Sequence, residues 1–72
     1  MKKVYRLQNL DCAHCAAKME RAIKKIAGVN DASVNFMYQK LTMDIEDENS
    51  DEILSEVARV IKRVEPDCLI EI

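Results

Sequence analysis

The apolar residues of this chain follow two different periods, and the order in which the periods alternate limits the folds open to it. Four short segments have the period of two that is typical of strands. Two longer segments have apolar residues every three or four positions, as in a helix with one buried face. The predicted strands lie around residues 3–8, 32–36, 41–46 and 68–72, and the predicted helices lie around 13–27 and 49–65.

Residues with known preferences at helix ends support these predicted boundaries. Gly28 is a stop signal for the first helix, and Lys25 before it suits the negative end of the helix dipole. Asn49, followed three residues later by Glu52, resembles a capping box at the start of the second helix. Pro66 ends that helix.

The resulting order, β-α-β-β-α-β, predicts an α+β domain of the ferredoxin-like class. Its four strands form one antiparallel sheet with both helices on one face. Within the sheet we expect the first and third strands to lie side by side and parallel in the centre. The last strand is expected to pair antiparallel with the first. The loop 9–15 and the loop 64–67 would then meet at the same end of the domain.

Length and charge exclude several classes of protein. Seventy-two residues predict a single small domain, residues 1–72. The net charge of −2 provides no basic surface, so we expect no nucleic-acid partner. No apolar run approaches the roughly 18 residues of a membrane span, and no apolar segment of a signal peptide follows the basic start. The expectation is a soluble, cytosolic fragment.

The segment Leu10-Asp11-Cys12-Ala13-His14-Cys15 carries the chemistry. Cys12 would precede the first helix and Cys15 would lie in its first turn, so the two sulfur atoms can converge on one ion. The helix N-terminus lowers the pKa of thiols and favours the thiolates that bind Cu(I), Zn(II) or Cd(II). A closed structural zinc site needs four ligands, which one Cys-x-x-Cys pair does not supply. An open site that exchanges its ion is the better interpretation.

With these motifs, the whole chain resembles a heavy-metal-associated domain, the module of copper chaperones and of the N-terminal arms of metal-transporting P-type ATPases. The family pattern Gly-Met-x-Cys-x-x-Cys corresponds to residues 9–15, and later family motifs correspond to Gly28-Val29 and Val34-Asn35-Phe36. Asn9 and Leu10 replace the usual Gly-Met. Leu10 can still pack in the core beneath the loop.

The residue before the first cysteine matters most for the choice of ion. Copper-handling members usually have Thr or Ser there. Members similar to zinc-, cadmium- and lead-exporting ATPases often have Asp, and this chain has Asp11. A carboxylate oxygen at about 2.0–2.2 Å would add a ligand and negative charge for a divalent ion. Asp11, Cys12 and Cys15 are therefore the predicted metal ligands. Glu65 and Asp67 in the second loop suit the same kind of ion.

Plainer structural roles remain open for several of these residues. Asp11 could cap the first helix instead of binding metal. His14 is expected to be exposed, with a role as metal ligand as the alternative. Cys68 is expected to be a small core residue, with a role as third thiolate as the alternative. Glu65 and Asp67 could be ordinary residues of a polar turn. Tyr5 and Phe36 are interpreted as core residues.

The first functional hypothesis is a regulatory or delivery domain of a Zn(II)/Cd(II)-transporting P-type ATPase, without ATPase activity of its own. In it the chain is the excised cytosolic N-terminal arm, its partners are the remaining domains of the ATPase, and Pb(II) is a further candidate cargo. The alternative is a free-standing Cu(I) metallochaperone. A thiol–disulfide enzyme is a third, weaker hypothesis. The expected state is a monomer, with a metal-bridged dimer at high concentration.

Overall fold

The computed structural model describes residues 2–46 and 50–71. Its elements follow the predicted order. They are β1 (Lys2–Gln8), α1 (Ala13–Lys24), β2 (Val29–Asn35), β3 (Lys40–Ile45), α2 (Ser50–Val64) and β4 (Leu69–Glu71). The predicted capping residue Asn49 and the last predicted strand residue, Ile72, lie outside the described residues.

The four strands form one sheet in the order β2-β3-β1-β4, and every neighbouring pair is antiparallel. The predicted parallel orientation of the first and third strands is wrong: Tyr5 lies opposite Leu41 in an antiparallel register. The reason is the connectivity. The crossover through α1 makes β1 and β2 run in the same direction, and the short β2–β3 hairpin then reverses the chain. The predicted antiparallel pairing of β4 with β1 is confirmed.

One continuous core lies between the inner face of the sheet and the two helices, which also contact each other. The alternation predicted for β3 is confirmed, because Leu41, Met43 and Ile45 are all fully buried. In α2 the buried stripe is formed by Ile53, Val57 and Ile61. Each helix buries a single stripe of side chains, and each strand buries a single face. This is why both periods were visible in the sequence.

The end of α1 and the turn after β2 differ from the sequence prediction. The helix ends at Lys24, and Ile26 packs against the core from the turn that follows. The strand β2 ends at Asn35, so Phe36 lies in the β2–β3 turn and is 36% exposed. Its interpretation as a core residue is therefore wrong. Tyr5 is half-buried and packs against the core, as predicted.

Three connections meet at one end of the domain, here called the site end. The end of β1 pairs with the start of β4, with Gln8 opposite Leu69. The backbone N–H of Leu7 donates to the carbonyl oxygen of Gln39 in the β2–β3 turn at 2.7 Å. The site end thus combines the β1–α1 loop, the β2–β3 turn and the α2–β4 loop, as predicted for the first and last of these.

No helix within residues 2–46 and 50–71 is both long enough and apolar enough to cross a membrane.

Candidate metal site

The β1–α1 loop folds back over the core before it reaches the cysteines. Asn9 has a φ of 63°, in the left-handed region that asparagine tolerates better than most residues. The next residue, Leu10, is 2% exposed and belongs to the core. Asn9 therefore provides a tight turn and Leu10 an apolar anchor in the core, at the positions that correspond to Gly-Met in the family pattern.

Cys12 is the N-cap residue of α1. Its backbone is extended, with φ of −130° and ψ of 114°, and its Sγ accepts a hydrogen bond of 3.1 Å from the backbone N–H of Cys15. Its carbonyl oxygen accepts the first helical hydrogen bond, from the N–H of Ala16 at 3.0 Å. A sulfur atom thus takes the place of the oxygen that normally satisfies a free N–H at a helix start.

The two thiols of Cys12 and Cys15 act as a pair. The hydrogen bond from the Cys15 side chain, followed by that from its backbone, holds the pKa of Cys12 below the ordinary thiol value. The same side-chain hydrogen bond, with desolvation, raises the pKa of Cys15 to about 11. Cys12 therefore becomes a thiolate first, and Cys15 keeps the proton that it shares with Cys12. Both residues are partly accessible to solvent, as an exchangeable site requires.

The α2–β4 loop acts electrostatically on the same pair. The negative charge of Glu65 contributes to raising the pKa of Cys15 and of Cys68, and it opposes the lowering at Cys12. Burial is the main reason that the pKa of Cys68 is raised, with smaller contributions from Glu65 and Asp11. Charges from both loops therefore reach the sulfur atoms, as expected from their common end of the domain.

The structure places the other predicted residues as follows. Asp11 is exposed and lies one residue before the helix cap, so the capping role considered for it belongs to Cys12. His14 is exposed, as predicted. Cys68 is 2% exposed and part of the core, as predicted. Within residues 2–46 and 50–71, no three side chains of His, Cys, Asp or Glu already converge as a metal site. Ligation by Asp11 stays a prediction.

Gln39 is a contact of this loop that sequence reasoning missed. Its side-chain Oε1 accepts from the backbone N–H of Leu10 at 2.9 Å, and its Nε2 donates to the carbonyl oxygen of Leu10 at 2.6 Å. The two residues are 29 positions apart. No local pattern marks such a contact, and only the pairing of β1 with β3 brings the turn beside the loop.

The sequence of the chain is similar to one protein family and to several longer proteins. A model of the heavy-metal-associated domain family matches residues 4–66. The chain is 33% identical over 66 residues to a cadmium, zinc and cobalt-transporting ATPase of Bacillus subtilis (strain 168). The matched residues are 92% of the chain and 9% of that protein. It is 39% identical over 44 residues to a zinc/cadmium/lead-transporting P-type ATPase of Escherichia coli (strain K12), covering 61% of the chain and 6% of that protein. The chain spans less than a tenth of the length of either relative.

Solved structures share the fold. The CopZ metallochaperone superposes with a TM-score of 0.76 at 21% identity, over 99% of the chain and 100% of that structure. The N-terminal domain of a potential copper-translocating P-type ATPase from Bacillus subtilis, in its Cu(I)-loaded state, superposes with a TM-score of 0.78 at 22% identity, over 99% of the chain and 84% of that structure. At these identities the likeness concerns the fold alone.

Proposed function

The chain belongs to the heavy-metal-associated domain family, and on that premise we propose that it binds a soft divalent ion, Zn(II) or Cd(II), through Asp11, Cys12 and Cys15. The ion is cargo: the domain delivers it to a metal-exporting P-type ATPase, or regulates that ATPase by binding it. We expect no ATPase activity from residues 1–72 themselves.

The observation that carries this proposal is the division of roles between Asp11 and Cys12. Because the Sγ of Cys12 satisfies the free N–H of Cys15, α1 does not use the Asp11 carboxylate as its cap. The carboxylate is exposed and next in sequence to a thiol whose pKa is lowered. Two thiolates and one carboxylate oxygen are a donor set suited to Zn(II), whereas Cu(I) is satisfied by two thiolates.

The charge at the site end favours a divalent over a monovalent ion. The carboxylate of Glu65 acts on the sulfur atoms, and Asp11 adds a second negative charge nearby. Two thiolates already neutralise a divalent ion, and each further carboxylate gains more from a 2+ than from a 1+ charge. The names of the curated relatives agree, since they are transporters of cadmium, zinc, cobalt or lead.

The open coordination of the proposed site also accounts for delivery. With the thiols partly exposed, a group on a partner can become an additional ligand before a thiolate leaves. Each bond to the domain is then replaced rather than lost, so the ion need not pass through water. This is the chemical reason for preferring a transfer domain to a storage site or a structural zinc site.

The proposal is tested by competitive titration of the reduced protein and of Asp11→Asn with Zn(II), Cd(II) and Cu(I). We expect the variant to lose divalent affinity by about tenfold or more and to keep its Cu(I) affinity. Asp67→Asn is the matched control, because it removes one carboxylate charge from the other loop of the site end. An equal loss of divalent affinity in Asp11→Asn and Asp67→Asn would indicate a general effect of negative charge rather than ligation by Asp11.

Three results would contradict the proposal. Unchanged divalent affinity in Asp11→Asn would show that Asp11 is not a ligand. Cu(I) outcompeting the divalent ions under buffered conditions in both proteins would favour the alternative, a Cu(I) metallochaperone. Insulin reduction by the domain would instead revive the thiol–disulfide enzyme.

A further inference from the structure

The side chain of Gln39 joins the β2–β3 turn to the β1–α1 loop. Its amide binds both backbone groups of Leu10, accepting from the N–H at 2.9 Å and donating to the carbonyl oxygen at 2.6 Å. The second N–H of the amide can serve the carbonyl oxygen of Phe36, which Nε2 contacts at 3.0 Å. All of the donors of the amide group are thus used.

The side chain of Gln39 continues the hydrogen bonding between β1 and the β2–β3 hairpin beyond the last backbone contact. The backbone N–H of Leu7 donates to the carbonyl oxygen of Gln39 at 2.7 Å, the last such contact of β1 with the hairpin. Beyond it the loop turns at Asn9, and Leu10 lies outside the paired residues of β1. The Gln39 amide presents the acceptor and donor that a neighbouring peptide group would otherwise present.

The backbone of Gln39 indicates that the contact is more than a surface hydrogen bond. Its φ is 55°, in the left-handed region, where a residue with a long side chain is strained unless its surroundings hold it there. Glycine or asparagine would suit that turn position better. Neither could place an amide group at the same distance from Leu10, since asparagine is one carbon shorter.

We propose that Gln39 is the positioning residue of the metal loop. By holding both peptide groups of Leu10, it fixes the point from which Asp11 and Cys12 project and keeps the loop close to its binding conformation before an ion arrives. The inference rests on the proposed metal binding at Cys12 and Cys15, but not on the identity of the ion. Side chains that bind metal must be held within a fraction of an ångström by their supports, which gives such a contact its value.

The test uses Gln39→Gly and Gln39→Asn, which tolerate the left-handed turn but lose the contact with Leu10. We expect metal affinity to fall by about tenfold for Cd(II) and Cu(I) alike, because a smaller fraction of the metal-free protein would have the binding conformation. In the metal-free protein, the Leu10 amide should exchange with solvent at least about tenfold faster, because its acceptor is gone. The midpoint of thermal unfolding should change little. Gln8→Ala is the control, since Gln8 donates to Glu71 at 2.9 Å on the exposed side of the sheet and does not brace the loop.

Hydrogen exchange in the metal-free protein separates this inference from the proposed function. The positioning role would be overturned if both Gln39 variants kept the Leu10 exchange rate and the metal affinity of the unmodified protein. A loss of affinity in Cys12→Ser would show that the metal site itself is still correct. A loss of affinity that matches a general fall in stability would overturn it as well. If only Cu(I) binds the unmodified protein, the divalent proposal fails and the Gln39 effect is still measured on Cu(I).

Discussion

At the scale of single residues, Cys12 caps α1, and this role does not compete with the metal binding proposed for it. Its sulfur atom accepts from the Cys15 N–H at 3.1 Å, which completes the start of α1. The same hydrogen bond stabilises a thiolate, the form that binds a metal ion. A thiolate keeps lone pairs for an ion while it accepts that bond. The helix therefore need not lose its cap when the site is filled.

The shared proton of the two cysteines makes metal binding depend on pH. The pKa of Cys12 is lowered and that of Cys15 is raised to about 11, so an ion arriving near neutral pH must displace at least the Cys15 proton. Each displaced proton makes apparent affinity rise by about tenfold per pH unit. We expect affinity to rise across about pH 6–9, more steeply below the pKa of Cys12, where two protons leave, than above it, where one leaves. Competition against a chelator of known protonation measures the slope.

The absorbance of the thiolates in the metal-free protein provides the control for that slope. A single thiolate should appear below the ordinary thiol pKa, and the second should appear only in strong alkali. Affinity that is independent of pH above about pH 7 would mean that both thiols have already ionised, contrary to the hydrogen bond between them.

At the scale of elements, the sequence predicted which segments become strands and helices, but placed some ends and one orientation wrongly. Leu41, Met43 and Ile45 gave a clear strand because their alternation reflects one buried face. Ile26 continued the helical spacing beyond the end of α1, because the turn that follows also packs it against the core. Phe36 continued the alternation of β2 into an exposed turn. Periodicity reports which side chains favour burial and does not report where backbone hydrogen bonding stops.

The turn between α1 and β2 depends on Gly28. Its φ is +94°, and a Cβ built there would lie 2.6 Å from the Cδ1 of Ile53, a buried residue of α2. We expect Gly28→Ala to lower the free energy of unfolding by about 1–3 kcal/mol, from backbone strain and from the shift forced on Ile53. Chemical denaturation measures the change. Ala27→Gly, at the exposed neighbouring position, should cost less than about 1 kcal/mol. Equal effects at the two positions would contradict a special requirement at 28.

At the scale of the whole molecule, the site end is assembled from three connections that are far apart in sequence. The Cys-x-x-Cys motif could be recognised locally, because its two thiols and their helix lie within a few residues. The approach of Glu65 could be predicted only through the topology, which brings the start of β4 beside the end of β1. The contact between Gln39 and Leu10 could not be predicted at all, since it depends on the conformation of two turns. The contact that supports the β1–α1 loop was therefore missed, because it depends on the folded arrangement of the chain and not on a local sequence pattern.

Glu65 offers a test of whether the second loop acts on the bound ion as well as on the empty thiols. The negative charge of Glu65 acts to raise the pKa of both Cys12 and Cys15. Glu65→Gln should therefore favour the thiolates and speed alkylation of the metal-free protein by about two- to fivefold, the effect of one screened surface charge. If the carboxylate also favours a divalent ion, Cd(II) affinity should fall in the same variant, although easier deprotonation alone would raise it. The opposite signs of the two changes in Cd(II) affinity separate the two effects.

Asp67→Asn, on the other side of Pro66, is the control, because it removes an equal charge and should change the alkylation rate less. A rise in both alkylation and Cd(II) affinity would mean that Glu65 acts only on the thiols, and that the negative charge favouring a divalent ion comes from Asp11.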